Sequence, residues 1–316
     1  MSLAAALPAG HVVAGHTLHR LLGSGAHGTV YLASPVGSTQ LVALKLLPLP
    51  AGETAALAER IFLSTAAAAR SLRHADVVVV HGAGVDSGLC WLAMEPVPGA
   101  DLGRYTRPPR LLPEALVLQV CQRLARALAH AHRLGVVHRD VKPANVLVHW
   151  PSKTIKLTDF GLARMADSVN TATGMLLGSP AYMAPEQLAG NLPTPRTDLY
   201  ALGITLYELL TGQPAHPGQT MGELLRQVTQ DVVPDLRTAR ADLPSALTQG
   251  LQPLLQRLLA KNPAERPADG DAVAEMLQQV ARQLPEQLPD QPPNQPPKQP
   301  PKQPQSPPDE ALRTPA

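Results

Sequence analysis

The stretch His138-Arg139-Asp140-Val141-Lys142-Pro143-Ala144-Asn145 decides how this chain is read. It sets a carboxylate (Asp140), an ammonium (Lys142) and a carboxamide (Asn145) on one short loop. A strongly helical run, Pro113 to Leu134, leads into it and stops at Gly135, a residue suited to a helix C-cap. Alone, the trio marks a polar site without defining a reaction.

Its surroundings narrow the chemistry. Asp159-Phe160-Gly161 begins 19 residues after Asp140, and Ala184-Pro185-Glu186 follows. Upstream lie Gly23-Ser24-Gly25-Ala26-His27-Gly28-Thr29-Val30 and Val42-Ala43-Leu44-Lys45. The glycine-rich run falls between two strand-like segments, Thr17–Leu22 and Thr29–Ala33, so it reads as the turn of a hairpin. Gly23, Gly25 and Gly28 let backbone amides approach phosphate oxygens without a side chain in the way. A G-x-G-x-x-G pattern is also the mark of dinucleotide folds, but there it opens a helix, and here strands flank it. A third strand-like segment, Gln40 to Leu47, carries Lys45, and Val77 to Val80 and Gly88 to Met94 read as two more.

Taken together and in this order, these motifs resemble the signature set of protein kinases, specifically the bacterial eukaryotic-like (Hanks-type) serine/threonine branch. The resemblance spans residues 15–283. It implies an α+β, bilobal protein kinase fold, with a small β-rich N-lobe over 15–95 and a larger helical C-lobe over 98–283. Residues 1–14 read as an unstructured lead-in.

By the same resemblance, ATP is held by Leu22, Gly23, Ser24, Gly25, Ala26, His27, Gly28, Val30, Ala43, Lys45, Met94, Glu95, Val97, Asp101 and Leu147. Met94 is the gatekeeper. The Glu95 carbonyl and the Val97 amide receive adenine, and Pro96, which has no N–H, stands where no donor is required. Asp101 reaches the ribose or, alternatively, caps a helix. Lys45 pairs with phosphate. Asn145 and Asp159 supply oxygen ligands to Mg²⁺ or Mn²⁺, as hard cations require. Asp140 accepts or orients the proton of the substrate hydroxyl, and Lys142 sits against the transferring phosphate. Lys142 and Ser179 resemble the serine/threonine rather than the tyrosine branch. Arg139 would bind a phosphorylated activation loop, and Thr171 and Thr173 are the expected autophosphorylation sites. His138 packs behind Phe160 as a core histidine. Asp198 receives backbone amides of the central loop, and Glu186 pairs with Arg266.

One position departs from the pattern. Residues 52–72 read as an alanine-rich helix, and the glutamate expected to pair with Lys45 falls at Thr65. Glu59 is the nearest acid, yet six residues at ~100° each place it off the Thr65 face. Either the helix register differs, or Lys45 is held by Asp159 and phosphate alone. The first rival reading is therefore a weakly active or pseudokinase ATP-binding scaffold. A second, a small-molecule phosphotransferase, is opposed by Ala184-Pro185-Glu186 and the long segment before it.

Composition agrees with one large folded unit. The 316 residues are 16% charged with a formal net charge of +2, which argues against nucleic acid or an anionic membrane as partner. Aromatics are only 3%, so the core must be built from Ala, Leu and Val. Cys90 and Cys121 fall in apolar runs and read as buried free thiols. No secretory signal and no membrane span are expected, and the expected location is cytoplasmic with protein substrates. Beyond residue 284, Gln291-Pro-Pro-Asn, Gln295-Pro-Pro-Lys and Gln299-Pro-Pro-Lys repeat every four residues. Such a sequence cannot bury a core. It reads as an extended, disordered tail or linker, or as the ligand of a proline-binding module.

Overall fold

A computed structural model describes residues 7–25, 28–49, 52, 54–161 and 180–283. Ala26, His27, Thr171, Thr173, Ser179 and the proline-rich tail lie outside the described residues.

The N-terminal lobe is an antiparallel sheet of strands β1 (Val12–Val13), β2 (His16–Gly25), β3 (Gly28–Pro35), β4 (Val42–Pro48), β5 (Val80–Asp86) and β6 (Leu89–Met94), in the order β1-β2-β3-β4-β6-β5. Helix α1 (Ala55–Ser71) packs on one face. Period-two alternation sorts β4 between the two faces. Val42, Leu44 and Leu46 point to a small core with Leu18, Tyr31 and Ala33. Ala43 and Leu47 face the main core beneath α1, with Phe62, Leu92 and Met94. Lys45 lies between Ala43 and Leu47 and shares their face, paired across the sheet with Leu92.

Two expectations need correction here. The lead-in is not structureless from residue 7 onward. Val12–Val13 pairs with His16–Thr17, Val13 is buried in the small core, and the Leu7 amide donates to the Tyr31 hydroxyl at 2.8 Å. An apolar side of the sheet that α1 cannot reach draws this segment in. Val77–Val80 is also not a strand. Val77 forms only an isolated bridge to Leu157, and the strand proper begins at Val80.

Beyond Met94 the chain crosses to the C-terminal lobe. Strands β7 (Ala100–Asp101), β8 (Val146–His149) and β9 (Thr154–Leu157) form a small antiparallel sheet. The helices are α2 (Glu114–Arg133), α3 (Pro185–Leu188), α4 (Pro195–Thr211), α5 (Met221–Gln230), α6 (Leu236–Ala239), α7 (Ser245–Leu258) and α8 (Gly270–Ala281). α4 is buried along nearly its whole length, as expected of a helix apolar all round. It starts three residues before Asp198, where the hydroxyl of Thr197 accepts the Thr194 amide at 2.9 Å. It stops at Gly212, in the left-handed region at φ 72°. Cys90 and Cys121 are buried free thiols, as expected. No helix among the described residues is long and apolar enough to cross a membrane.

Candidate active site

Helix α4 anchors the site from below. Asp198, 1% exposed, accepts the backbone N–H of His138 at 2.8 Å and of Arg139 at 2.7 Å, and its Oδ2 lies 2.8 Å from His132 Nε2. These bonds hold Arg139 at φ 74°, a region that a residue with a Cβ enters at a cost of about 1–3 kcal/mol. The carboxylate on a rigid helix thus fixes the backbone that carries Asp140.

The loop is stitched to the segment bearing Asp159. The Thr158 amide donates to the Asn145 carbonyl at 3.0 Å, and the Gly161 amide to the His138 carbonyl at 3.1 Å. His138 is fully buried, with Nε2 at 2.8 Å from the Thr158 carbonyl and Nδ1 at 3.2 Å from the Asp140 amide. A carbonyl only accepts and an amide only donates, so Nε2 carries the proton and Nδ1 the lone pair. The Phe160 ring meets the imidazole edge-on at 4.5 Å between centroids. His138 is the core histidine expected from the sequence.

The reactive groups converge in pairs. Asp140 Oδ2 lies 2.7 Å from Lys142 Nζ and accepts from Asn145 Nδ2 at 2.9 Å. Asn145 Nδ2 also donates to the Asp140 carbonyl at 2.7 Å, so the amide nitrogen is committed and the carboxamide oxygen is the ligand atom Asn145 has to offer. Asp159, at φ 68°, binds Lys45 Nζ through Oδ1 at 2.7 Å. Lys45, Lys142 and Asn145 are all buried.

The Thr65 question is answered by position. A Cβ on Gly161 would come within 2.7 Å of Thr65 Cγ2, so Thr65 stands directly against the Asp159–Gly161 triplet. The helix register matches the sequence reading, and Lys45 has Asp159 as its carboxylate partner. Gly161 itself sits at φ 68°, so both its conformation and its neighbour demand glycine.

The described nucleotide positions expected from the sequence fall in β2, β3, β4 and the end of β6, at the crossing, and in β7 and β8. Gly28 adopts φ 106°, and a Cβ there would strike the Leu46 carbonyl at 2.4 Å. A Cβ at Gly23 or Gly25 would meet nothing within 4 Å. Leu22 is exposed, Val30 half-buried, and Ala43 pairs with Met94 across the sheet. Met94 lines a small cavity with Ala66, Val80, Leu92, Asp159 and Phe160. Asp101 pairs with Leu147. It occupies the N-cap position of the single turn Leu102–Tyr105 but makes no capping bond, which removes the support for a capping role.

Some organising contacts had no reading in the sequence. The Glu95 side chain accepts the Val79 amide at 2.8 Å and pairs with Lys156 Nζ at 2.7 Å, which ties the crossing to β9. Glu208 accepts the Tyr182 hydroxyl. Burial pushes the Glu208 carboxyl above the usual range, opposed by the Tyr182 bond and by Arg107. By contrast the Glu186–Arg266 pair was legible. Both nitrogens of Arg266 engage it, at 2.6 and 2.8 Å, Thr197 donates to it at 2.9 Å, and the guanidinium lies over the Tyr200 ring.

The model of the protein kinase domain matches residues 16–280. The chain belongs to the protein kinase domain family. Among curated relatives, this kinase domain is similar to the serine/threonine-protein kinase PknJ of Mycobacterium tuberculosis, 40% identical over 211 residues. That match covers 66% of this chain and 36% of PknJ. PrkC of Bacillus subtilis is 34% identical over 229 residues, covering 72% of this chain and 35% of PrkC. PkaB of Streptomyces coelicolor is 41% identical over 229 residues, covering 69% and 54%. The kinase domain thus spans roughly a third to a half of the relatives it matches. A crystal structure of a cysteine-to-alanine mutant of the Mycobacterium tuberculosis PknI kinase domain matches with TM-score 0.70 and 33% identity, over 88% of this chain and all of that one.

Proposed function

We propose that this chain is a serine/threonine protein kinase that transfers the ATP γ-phosphoryl group to hydroxyls of protein substrates. The observation that carries the reading is the convergence of Asp140, Lys142 and Asn145 on one loop with Lys45 and Asp159 beside it. γ-Phosphoryl transfer needs little covalent help from the protein, so positioned charge is the main requirement.

The residues fit a divalent cation held partly by substrate. Asp159 and Asn145 provide one charged and one neutral oxygen ligand, and the described residues contain no cluster of three or more His, Cys, Asp or Glu that would build an all-protein cage. Mg²⁺ is ordinarily bound this way, through one or two carboxylates plus phosphates, and Mn²⁺ accepts the same oxygens. When bound, the cation neutralises charge on the β- and γ-phosphates.

The chain's own groups do the rest. Gly23 and Gly25 leave the backbone of the hairpin turn uncovered for phosphate. Lys45 holds phosphate while paired with Asp159. Asp140 orients the acceptor hydroxyl and takes its proton. Lys142, at hydrogen-bond distance from Asp140, bridges the carboxylate to the transferring phosphoryl. Asp101 binds the ribose, and Met94, Glu95 and Val97 flank adenine. Thr171 and Thr173 are the proposed autophosphorylation sites, and the proline-rich tail is available to a proline-binding module.

The scaffold reading loses its main support. It rested on the replacement of the helix glutamate partner of Lys45 by Thr65, and Lys45 has a carboxylate partner in Asp159. Nucleotide binding by titration calorimetry tests the proposal. ATP should bind with an affinity that Mg²⁺ strengthens in the native chain and not in Asp159→Ala. Binding that ignores the cation in both would contradict it.

A further inference from the structure

Three exposed arginines, Arg104, Arg107 and Arg110, lie on the segment between Asp101 and α2. Two observations place this segment on the rim of the reactive cleft. A Cβ on Gly103, next to Arg104, would lie 3.9 Å from the Ala144 amide, so the turn abuts the loop that carries Asp140. Further on, Pro108 and Leu111 pack against Gly212 at the end of α4, with side-chain atoms 3.2 Å from the position of a Cβ there. Glu208, one turn earlier on α4, binds the Tyr182 hydroxyl. Burial and Glu208 push the Tyr182 phenol up; Asp140 adds to the rise and Arg107 opposes it, so both charges lie in the neighbourhood of this tyrosine.

The charge of this rim is not cancelled locally. Among the described residues, none of the three guanidiniums makes a hydrogen bond or ion pair through its side chain. Two acids of the neighbouring helices have partners of their own. Glu208 is half-buried and engaged by Tyr182, and Glu114 pairs with Arg240 at 2.6 Å. Glu208 offsets part of the Arg107 charge, and against a whole-chain net charge of only +2 three exposed arginines at one edge are a local feature, not a general basicity. Arginine also offers forked donors that match a carboxylate or phosphate.

We infer that Arg104, Arg107 and Arg110 form a selectivity rim that recruits acidic peptide segments flanking the acceptor hydroxyl. This rests on the proposed kinase activity and names the substrate class for that same cleft. A phosphorylated residue is an alternative source of the same negative charge.

The experiment compares synthetic peptides carrying one serine flanked by aspartates, by arginines, by alanines or by phosphoserine, with the native chain and with Arg107→Glu/Arg110→Glu. The native chain should prefer the aspartate peptide over the arginine peptide by about fivefold or more in kcat/KM. The double variant should invert that ratio, and added salt should erode it. A ratio at or below one, or a ratio untouched by charge reversal, overturns the inference. A phosphoserine peptide that alone shows the preference overturns the carboxylate assignment. Should no peptide be phosphorylated, the same peptides labelled for fluorescence anisotropy decide the matter. Binding of the aspartate peptide that the double variant abolishes sustains the rim while the activity fails, and binding that is absent or charge-blind overturns the rim as well.

Discussion

At the residue scale, the position that most distinguishes this kinase domain is Thr65. It stands at the position where the resemblance expects an acid for Lys45, and its methyl lies against Gly161. Asp159 pairs with Lys45 and, on the proposed function, would serve the cation as well. Thr65→Glu would add a second carboxylate and release Asp159 for metal. Steady-state kinetics should show about tenfold higher kcat/KM for ATP, equivalent to ~1.4 kcal/mol, with half-saturation at lower Mg²⁺. Unchanged Mg²⁺ dependence would mean that Asp159 is not shared. Gly161→Ala should destabilise by about 2 kcal/mol or more, combining left-handed backbone with the clash at Thr65. Adding Thr65→Ser, which deletes the offending methyl, should recover the steric part in urea denaturation. The motif residues themselves were legible because each is a chemical type with a fixed job. The Glu95–Lys156 pair was not, because a hinge acid and a strand lysine carry no local pattern that links them.

At the scale of elements, the loop holds its shape because α4 holds it. Asp198→Ala would leave the His138 and Arg139 amides and His132 without their acceptor. The expected loss is on the order of 4 kcal/mol, from three charge-assisted bonds at about 1.5 kcal/mol each. Asp140→Asn should cost clearly less stability, since it removes one ion pair with Lys142 and keeps an oxygen that can accept from Asn145. A comparable loss in both would show that Asp198 has no special structural role. The longer helices could be read from their apolar periodicity, and α2 falls within the run from Pro113 to Leu134. Short elements escaped. β8 and β9 have four residues each, and α3 and α6 four residues each, too few for a period to declare itself. Val77–Val80 misled because four consecutive valines favour a strand, while only pairing with β6 settles where one begins.

At the scale of the whole molecule, two buried groups in the helical lobe set the acid limb of stability. Burial lowers the His216 imidazole to about 4, with Lys261 acting in the same direction and Asp231 against it. The unfolded chain then binds more protons between pH 6.5 and about 4, so stability falls as pH drops through that window, by about 3 kcal/mol in all. Burial alone would raise the Glu186 carboxyl, but the Arg266 bonds hold it below the usual range. Its contribution is present above the unfolded value and is lost as pH falls below it. Chemical denaturation from pH 7 to 4 should show a decline that His216→Gln flattens above pH 5. A flat native profile would contradict it. The two-lobed architecture was legible through the resemblance that the ordered motifs carry. The docking of residues 7–14 on the sheet was not, since its cause is an apolar face formed by distant strands.

The central claim is that Asp140 addresses an incoming hydroxyl while Lys45 and Asp159 hold the nucleotide. It is tested most directly by incubating the purified chain and Asp140→Asn with γ-labelled ATP, Mg²⁺ and a generic protein substrate, then identifying the labelled amino acids. The account predicts phosphoserine and phosphothreonine from the native chain and at least a hundredfold less from Asp140→Asn, about the loss of a general base. Equal labelling from the two proteins, or none from either, would contradict it.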